Sequence, residues 1–435
     1  MEQASFRRVF VEAWLARAAA AGPTRPALGA LTYEQLLSEA RSTARRMAAR
    51  GVRRGDRVGL LLGDGERFAV ALHGVLLLGA IAVPVDPRAP ADQVAARLQD
   101  CSLVVDGDPA QLGPEGGVGA LDERHDLDAT AVIVHTSGSS GAGTPVALTY
   151  GNWLWSALGS GAALGVAGDE RWLCCLPLTH VGGLSILMRS VVYGTHASVH
   201  DRFDLDTVIA TLRDPAGPTL VSLVPTTLTR LLDAGLREPP ALRWALLGGA
   251  PAGPALLERA AAAGIPVAAT YGMTEACSQI ATFGVPLFCT SVQIAPSGEI
   301  LVCGPTVSPD AGSVLHTGDC GELGRNGRLV VTGRIADTII TGGENVLPQE
   351  VESVLEAHPR VAEAAVHGQP DPQWGEAVVA MVVLRAPGTV TLEELEAWCR
   401  ERLAPHQRPK VVRLVAALPR TDSGKLRRSA RADGA

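Results

Sequence analysis

Alternation of short apolar runs with stretches of helical pattern is the feature that most limits the folds open to this sequence. It extends from about Arg57 to Ala269. The predicted strands are Val58 to Leu62, Leu103 to Val105, Ala131 to His135, Trp172 to Leu176, Leu220 to Leu223, Trp244 to Leu247 and Val267 to Ala269. The predicted helices include Arg67 to Leu78, Tyr150 to Gly161, Pro225 to Ala234 and Pro254 to Ala263. Strands that alternate with helices pair in parallel, and ligands bind on loops at their carboxyl ends.

The rest of the chain has a different pattern. The stretch from Phe283 to Gly327 is rich in Gly, Pro, Ser and Asp, which predicts a β-rich subdomain. Beyond it, Leu347 to Ala357 and Leu392 to Leu403 are helical in pattern, and Val361 to His367 and Ala377 to Leu384 resemble strands. The predicted fold class is α/β, with a large N-terminal domain of helix-covered parallel sheets plus a β-rich subdomain, and a small α+β C-terminal domain. A boundary near Arg334 gives domains of residues 1–333 and 334–435.

Composition and charge exclude several classes of protein. Of 435 residues, 47% are hydrophobic, which suits a large buried core and not a disordered chain. The net charge of −7 argues against general nucleic-acid binding. The eight cysteines show no Cys-x-x-Cys spacing, so we expect a reducing, cytoplasmic setting without zinc or a disulfide scaffold. The apolar stretch Phe68 to Val85 contains Gly and Pro, which predicts a buried helix and strand and no stable membrane insertion. Association into a homo-oligomer is left open.

A Ser/Gly-rich segment, His135 to Thr144, follows one predicted strand and precedes a helix. Glycines let backbone N–H groups approach an anion and hydroxyls add donors, so the segment suits a phosphate. It lacks the Gly-Lys-Ser/Thr of a Walker A loop. An ordinary polar surface loop is the alternative.

Two acidic motifs follow further along the chain. Tyr271 to Glu275 comes directly after a predicted strand, where a carboxylate can hold magnesium beside phosphate. Thr317 to Asp319 places a carboxylate after a tight turn, which suits the two hydroxyls of a ribose. Taken singly, the first motif is as readily a turn with a helix-capping Thr, and the second is more often an ordinary turn.

Two glycine-containing motifs complete the set. The segment from Gly333-Arg334 to the Gly342-Gly343 pair lies at the predicted domain boundary and suggests a hinge or a close backbone approach. Near the C-terminus, Lys425 follows a Ser-Gly turn within Pro419 to Arg428. A lone lysine in such a place is usually part of a solvated tail.

The order of these five motifs resembles the adenylate-forming superfamily of acyl-CoA synthetases, adenylation domains and luciferases, and the resemblance covers nearly the whole chain. Leu31 to Leu36 and Gly79 to Pro87 also look like family segments. Within the superfamily, four segments are similar to the o-succinylbenzoate–CoA ligases of menaquinone synthesis: Leu176 to Gly194, Ser222 to Leu228, Leu246 to Pro251 and Ala269 to Gln279.

The resemblance implies a reaction in two halves and assigns residues to it. A carboxylate attacks the α-phosphate of ATP to give an acyl-adenylate, and the thiol of coenzyme A then displaces AMP. Phosphate would be held by Thr136, Ser137, Gly138, Ser139, Ser140, Gly141 and Thr274, and magnesium by Glu275. The adenosine would be bordered by Gly248, Gly249, Ala250, Tyr271 and Gly272, with Asp319 and Arg334 at the ribose. Lys425 would bridge the attacking carboxylate and the α-phosphate as a positioned charge.

The resemblance also suggests where the acyl acid binds. His180 stands where the family places a residue between the acyl pocket and the adenylate. Arg189 is the expected partner of the second carboxylate of an aryl dicarboxylic acid, because its guanidinium offers a bidentate fork. Alternatively, His180 is a histidine packed in the core, and Arg189 forms a salt bridge with an acidic residue of the protein.

The C-terminal domain is implied to rotate between the half-reactions. Lys425 would then withdraw while the loop of Gly342 and Gly343 helps to build the thiol channel. The basic residues Arg408, Lys410, Arg413, Arg427 and Arg428 suit the phosphates of coenzyme A, or equally a solvated basic face.

The sequence departs from the family in two places. The end of the phosphate loop, Gly141 to Ala147, has no lysine, and the usual charged hinge position is Ala336, followed by Asp337. Three functions are therefore compared: ligation of o-succinylbenzoate to coenzyme A, adenylation of another aryl or acyl acid for coenzyme A or a carrier protein, and nucleotide binding without catalysis. Arg189 favours the first, and the absent lysine favours the last.

Overall fold

The structure, a computed structural model, describes residues 8–116, 121, 124–136, 143–386, 388 and 390–419. The described residues form two compact units. The first contains those up to Gly248 together with Ala263–Ser291 and Val302–Leu315, and the second contains Gly249–Ala262, Val292–Leu301 and those from His316 onward. The predicted boundary near Arg334 lies inside the second unit and stays a prediction.

The described residues form strands and helices in the following order. The strands are β1 (Phe10–Glu12), β2 (Pro26–Leu28), β3 (Leu31–Thr32), β4 (Arg57–Leu60), β5 (Ile81–Pro84), β6 (Leu103–Val105), β7 (Arg124–Asp126), β8 (Thr130–His135), β9 (Pro145–Thr149), β10 (Arg171–Cys174), β11 (His196–Val199), β12 (Leu220–Leu223), β13 (Trp244–Leu247), β14 (Val267–Met273), β15 (Ser278–Thr282), β16 (Val285–Pro286), β17 (Ser291–Ile294), β18 (Glu299–Cys303), β19 (Leu315–Leu323), β20 (Leu329–Arg334), β21 (Ile339–Thr341), β22 (Glu344–Val346), β23 (Val361–Asp371), β24 (Gly375–Leu384) and β25 (Val411–Leu414). The α-helices are α1 (Trp14–Ala21), α2 (Tyr33–Ala49), α3 (Gly65–Leu77), α4 (Ala91–Leu98), α5 (Tyr150–Leu164), α6 (Val181–Tyr193), α7 (Leu205–Arg213), α8 (Pro225–Asp233), α9 (Pro254–Ala262), α10 (Pro348–Glu356) and α11 (Leu392–Arg402).

The first unit contains the two helix-covered parallel sheets that the alternation predicts. A nine-stranded sheet has the order β16-β15-β14-β13-β12-β10-β11-β2-β3, in which β14 through β2 are parallel. A five-stranded sheet has the order β6-β4-β5-β8-β9, with only β9 antiparallel. One hydrophobic core includes residues of both sheets and of α2, α3, α5 and α6. The predicted α/β class is therefore confirmed.

Local signals explain where the helices begin. Thr32 and Thr149 cap α2 and α5 with reciprocal capping boxes, and Asp64 caps α3. The apolar stretch Phe68 to Val85 divides into the buried helix α3 and the strand β5, as the sequence predicts. Within the described part of the chain, no helix has the length and apolarity needed to cross a membrane.

One strand extends beyond its predicted end, with a consequence for the site. Apolarity predicts a strand ending at Ala269, but β14 continues to Met273. The added residues pair antiparallel with β15, so pairing with a later segment supplies the hydrogen bonds that the local pattern does not reveal. The Tyr271 motif therefore begins inside a strand and not in a loop.

The β-rich region is divided between the two units, and the described part of the α+β region lies in the second. The strands β17 to β20 form a four-stranded sheet, and a five-stranded sheet has the order β22-β21-β24-β23 with β25 beside β24. The helices α10 and α11 share a separate hydrophobic core with the second sheet. The predicted strands of the C-terminal region are confirmed, although β23 continues to Asp371 because its whole length pairs with β24.

Two buried histidines of the first unit line a small cavity beside α1. His73 and His125 are 3% and 4% exposed. The Nε2 atom of His125 accepts a hydrogen bond from the backbone N–H of Trp14 at 3.4 Å, and its ring stacks on Tyr150. Burial lowers the pKa of His73 to about 4, and burial with the nearby His73 and Arg54 lowers the pKa of His125 to about 3.

These histidines predict acid sensitivity of the first unit. Below about pH 6.5 the unfolded chain binds protons that the native histidines do not bind until about pH 4 or 3. The free energy of unfolding should therefore fall as pH is lowered through this window, by about 1.4 kcal/mol per pH unit for each histidine. Urea unfolding at several pH values measures the slope. The variant His73→Phe should have a shallower slope between pH 6.5 and 4, whereas an unchanged slope would contradict the assignment.

Candidate active site

The carboxyl ends of the parallel strands bring several predicted site residues to one edge of the nine-stranded sheet. The strand order changes direction at β10, which has β11 on one side and β12 on the other. Crevices outside the carboxyl ends at such a point are the usual ligand sites of open α/β sheets. His180 follows β10, Gly248 follows β13, and Tyr271 lies near the end of β14. The backbone N–H of Gly248 donates to Leu223 O of β12 at 3.1 Å, so these strand ends are directly connected.

The predicted phosphate loop starts at the carboxyl end of β8 in the other sheet. Ser137, Gly138, Ser139, Ser140 and Gly141 lie outside the described residues. Thr136 is described, and both its backbone N–H and its hydroxyl donate to Thr144 O, at 3.0 and 3.3 Å. After the loop, the Ala147 N–H donates to Asp310 Oδ2 at 2.8 Å. The base of the loop is therefore fixed by the antiparallel pairing of β8 with β9 and by these bonds.

The predicted magnesium ligand lies on a strained turn between β14 and β15. We call Thr274 to Ser278 the acidic turn. Cys277 has a φ of 50° and Ser278 a φ of 93°, and residues other than glycine rarely adopt such positive φ values. Gly272 cannot carry a side chain, since a Cβ atom there would lie 1.6 Å from Ser278 O. Hydrogen bonds hold both sides of the turn: Ser308 N–H donates to Glu275 O, and Ser156 Oγ donates to Cys277 O, each at 2.7 Å.

The acidic turn suits a magnesium ion. Glu275 is half-buried, and its side chain makes no hydrogen bond or ion pair with another residue that the structure describes. Its carboxylate oxygens are hard ligands of the kind that magnesium prefers, while its backbone carbonyl is already bonded to Ser308. Thr274 starts the same 3-10 turn, so its hydroxyl lies next to the acidic residue.

The helix α6 carries both residues predicted to bind the acyl acid. His180 is the N-cap of α6, where its carbonyl accepts Gly183 N–H and Leu184 N–H. Arg189 lies on the same helix, about 13 Å farther along its axis at 1.5 Å per residue. Asp86, after β5, lies close to His180: the pKa of Asp86 is lowered mainly by its hydrogen bond to Arg88, and His180 adds to the effect.

Arg189 is a buried cation without an acidic partner among the described residues. It is 2% exposed, and its Nε makes no hydrogen bond to any residue that the structure describes. Its Nη2 donates to Ser156 Oγ at 3.3 Å, and its guanidinium lies 5.5 Å from the centroid of the Trp172 ring. Burial lowers the pKa of Arg189, but a guanidinium keeps its charge in proteins. The alternative of a salt bridge to a protein acid therefore finds no support in the described structure.

The ribose site predicted in the second unit is an ion pair across a hairpin. Asp319 faces Arg334 in the register of β19 and β20, and Arg334 Nε donates to Asp319 Oδ1 at 2.9 Å. Asp319 is 6% exposed, and its N–H donates to Thr317 Oγ1 at 3.1 Å. The structure thus brings together two residues that the sequence separates by fifteen positions. Gly249 and Ala250 are exposed and belong to the same unit.

The predicted thiol-channel glycines form a two-residue hairpin loop between β21 and β22. Gly342 and Gly343 have φ of 59° and 84°, as a primed turn requires. The Gly342 N–H donates to Trp374 O at 2.8 Å, and a side chain at Gly342 would meet the Trp374 ring at 3.2 Å. Lys410 Nζ lies 4.7 Å from the centroid of that ring.

Sequence reasoning missed Trp374, which connects the glycine loop to a basic residue. The one sequence feature that could have indicated a role for Trp374 is its position in a polar turn between two predicted strands, where apolar residues are uncommon. Of the predicted basic residues, Arg408 donates to Leu403 O and Arg400 O, each at 3.0 Å, and so caps the end of α11. Lys410 and Arg413 are exposed. Lys425, Arg427 and Arg428 lie outside the described residues.

Comparison with known proteins identifies the family of this chain. The AMP-binding enzyme family matches residues 15–106 and 103–335, and the AMP-binding enzyme C-terminal domain matches residues 350–425. The 2-succinylbenzoate–CoA ligase of Bacillus cereus is 36% identical, over 95% of this chain and 97% of the relative.

Two solved structures are similar over almost the full length. The o-succinylbenzoate CoA synthetase (MenE) from Bacillus subtilis in complex with the acyl-adenylate intermediate OSB-AMP has a TM-score of 0.89 at 34% identity, covering 98% of this chain and 99% of that chain. The same enzyme in complex with ATP and magnesium ion has a TM-score of 0.87 at 34% identity, covering 98% and 100%. By sequence and fold, this chain belongs to the 2-succinylbenzoate–CoA ligase family of adenylate-forming, AMP-binding enzymes.

Proposed function

We propose that this protein ligates o-succinylbenzoate to coenzyme A through an acyl-adenylate, using ATP and magnesium, as a step of menaquinone biosynthesis. The observation that carries the choice of acid is Arg189, a buried cation on α6 without an acidic partner among the described residues. A dicarboxylic acid supplies one carboxylate for activation and a second one for this cation. The relatives of this chain support the same choice, since they include the Bacillus cereus ligase and the Bacillus subtilis synthetase with bound OSB-AMP.

In the first half-reaction the residues of this chain bring two anions together. Thr136 and the loop that follows would hold the phosphates with hydroxyl and N–H donors, while Glu275 would hold magnesium, which neutralises phosphate charge. Lys425 would place its ammonium between the attacking carboxylate and the α-phosphate. The ion pair with Arg334 fixes the Asp319 carboxylate, which would bind the ribose hydroxyls. Stabilisation of charge by such fixed donors is the main source of rate in phosphoryl chemistry.

In the second half-reaction the thiol of coenzyme A replaces AMP. The hairpin of Gly342 and Gly343 presents backbone without side chains, as a narrow thiol channel requires. Trp374 supports this loop, and the exposed Lys410 beside it suits a phosphate of coenzyme A. Rotation of the C-terminal domain, which would exchange Lys425 for this loop, stays a prediction, as do the hinge at Ala336 or Asp337, a cytoplasmic location and a homo-oligomeric state.

Nucleotide binding without catalysis is a second candidate function, because the absence of one lysine favours it. The phosphate loop has no lysine from Gly141 to Ala147, which is the departure that a non-catalytic nucleotide-binding protein would show. Retention of Glu275, Asp319, Arg334 and Lys425 argues against this function. Adenylation of a different acid is the other alternative, and it would leave the charge of Arg189 unused.

Pyrophosphate release distinguishes these functions. Purified protein is assayed with ATP and magnesium against o-succinylbenzoate and a matched aryl monocarboxylate, which keeps the carboxylate to be activated and lacks the second one, with and without coenzyme A. Release that requires the dicarboxylate, with a coenzyme A thioester as product, is the expected result. Release with other acids only would discard the substrate. ATP binding without release for any acid would favour the non-catalytic function.

Replacement of Arg189 by an apolar residue should separate recognition from stability. The variant Arg189→Met removes a buried charge that lacks an acidic partner, so its free energy of unfolding should be unchanged or raised. Its KM for o-succinylbenzoate should rise by about a hundredfold, since a charge-assisted pair of about 3 kcal/mol is lost. Thermal unfolding and steady-state kinetics measure the two effects. Strong destabilisation with an unchanged KM would show that Arg189 has a purely structural role.

Replacement of Lys425 should affect one half-reaction only. The variant Lys425→Ala removes the charge that positions the attacking carboxylate, so adenylation should slow by about a hundredfold or more. Thioester formation from a preformed acyl-adenylate should change by less than threefold, because that step does not use Lys425. Single-turnover assays with purified adenylate measure the second step. Equal loss in both steps would contradict the proposed role.

A further inference from the structure

We propose that Ser156 is a positioning residue that connects the acyl-acid cation Arg189 to the acidic turn that carries Glu275. The proposal rests on the proposed function, because it assigns the substrate carboxylate to Arg189. It adds a residue that neither the sequence motifs nor the proposed reaction includes.

A continuous chain of two hydrogen bonds connects the two sites. Arg189 Nη2 donates to Ser156 Oγ at 3.3 Å, and Ser156 Oγ donates to Cys277 O at 2.7 Å. Cys277 lies two residues after Glu275 and is one of the residues with positive φ in the acidic turn. All three residues of the chain are buried, at 2%, 1% and 0% exposure, so water does not compete for these bonds.

The chemistry of a hydroxyl fixes the direction of this chain. Ser156 has one proton, and that proton is given to the Cys277 carbonyl. The oxygen lone pairs are then left to accept from Arg189, which has donors only. Ser156 therefore holds the guanidinium at Nη2, while the buried Nε has no hydrogen-bond partner among the described residues.

The helix α5 supports the acidic turn at a second point as well. Asn152, one turn before Ser156, donates from Nδ2 to Pro305 O and Val307 O, at 2.8 and 2.9 Å. The next residue, Ser308, donates its N–H to Glu275 O at 2.7 Å. The helix α5 thus contacts the acidic turn directly at Cys277, and indirectly at Glu275 through the segment that ends at Ser308. A residue of that helix that also contacts Arg189 couples recognition of the second carboxylate to the position of the magnesium ligand.

The consequence is a specific link between the acid and the magnesium requirement. Loss of the Ser156 hydroxyl should reduce the preference for o-succinylbenzoate over the matched aryl monocarboxylate by about tenfold, because the guanidinium is no longer held at one edge. It should also raise the magnesium concentration needed for half-maximal adenylation severalfold, because the Cys277 carbonyl loses its donor. A residue with a purely structural role would lower activity with both acids alike and leave the magnesium requirement unchanged.

The test compares Ser156→Ala with a matched control on the same helix. Ser160 is one turn farther along α5 and 0% exposed, so Ser160→Ala removes an equally buried hydroxyl. Pyrophosphate release is measured for the wild type and both variants with the two acids, each over a series of magnesium concentrations. We expect Ser156→Ala to change the acid preference and the magnesium requirement, and Ser160→Ala to change neither.

The outcomes separate failure of this proposal from failure of the proposed function. Absence of any preference for the dicarboxylate in the wild type would overturn the proposed function. A wild-type preference that Ser156→Ala and Ser160→Ala both retain, with an unchanged magnesium requirement, would overturn the role of Ser156. If Ser156→Ala does not fold, Ser156→Cys is tested in its place, because it nearly keeps the side-chain volume and weakens both hydrogen bonds. It should show the same two changes to a smaller extent. Wild-type behaviour of Ser156→Cys would overturn the proposal.

Discussion

One electrostatic constraint governs the acyl-acid site: the Arg189 guanidinium is buried in the first unit, and no acidic side chain lies beside it among the described residues. Burial of a charge without a partner is costly, and a protein under no functional demand gains by replacing it with an apolar residue. The surroundings of Arg189 partly compensate, through the hydroxyl of Ser156 and the face of Trp172. Under the proposed function, the carboxylate of the bound acid would supply the remaining compensation. On this view the cost of the charge in the free protein is what gives selectivity for a dicarboxylic acid.

The topology explains how that cation can act together with a nucleotide site. Parallel strands place their carboxyl ends at one edge of the sheet, so His180, Gly248 and the acidic turn lie on neighbouring loops although they are distant in sequence. The helix α6 starts at this edge with His180 and leads into the core, where Arg189 lies. The helix α5 packs beside α6 and holds the acidic turn. An acid bound along α6 would therefore have one carboxylate at the nucleotide edge and the other in the core.

Much of the fold could be predicted from the sequence, because it follows from local pattern. Alternation of apolar runs with helical stretches was enough for the α/β class, and the ends of β12 and β13 agree with the predicted ones. The end of β14 could not be predicted, because its last residues are held by pairing with a later strand. The roles of Glu275 and Asp319 came from resemblance, and the structure adds the contacts that hold them. Ser156 gave no signal, since a serine in an aromatic-rich helix is common and only its tertiary contacts show what it touches.

Under the proposed function, the second carboxylate of the acid binds at Arg189. A crystal structure of this protein with a stable sulfamate analogue of the o-succinylbenzoyl adenylate tests it most directly. We expect an oxygen of the carboxylate that is not activated to be joined to the Arg189 guanidinium by a direct hydrogen bond or through one ordered water, with Ser156 still bonded to Nη2. Binding of that carboxylate to a different cation, with Arg189 as it is in the free protein, would show that Arg189 does not select the acid.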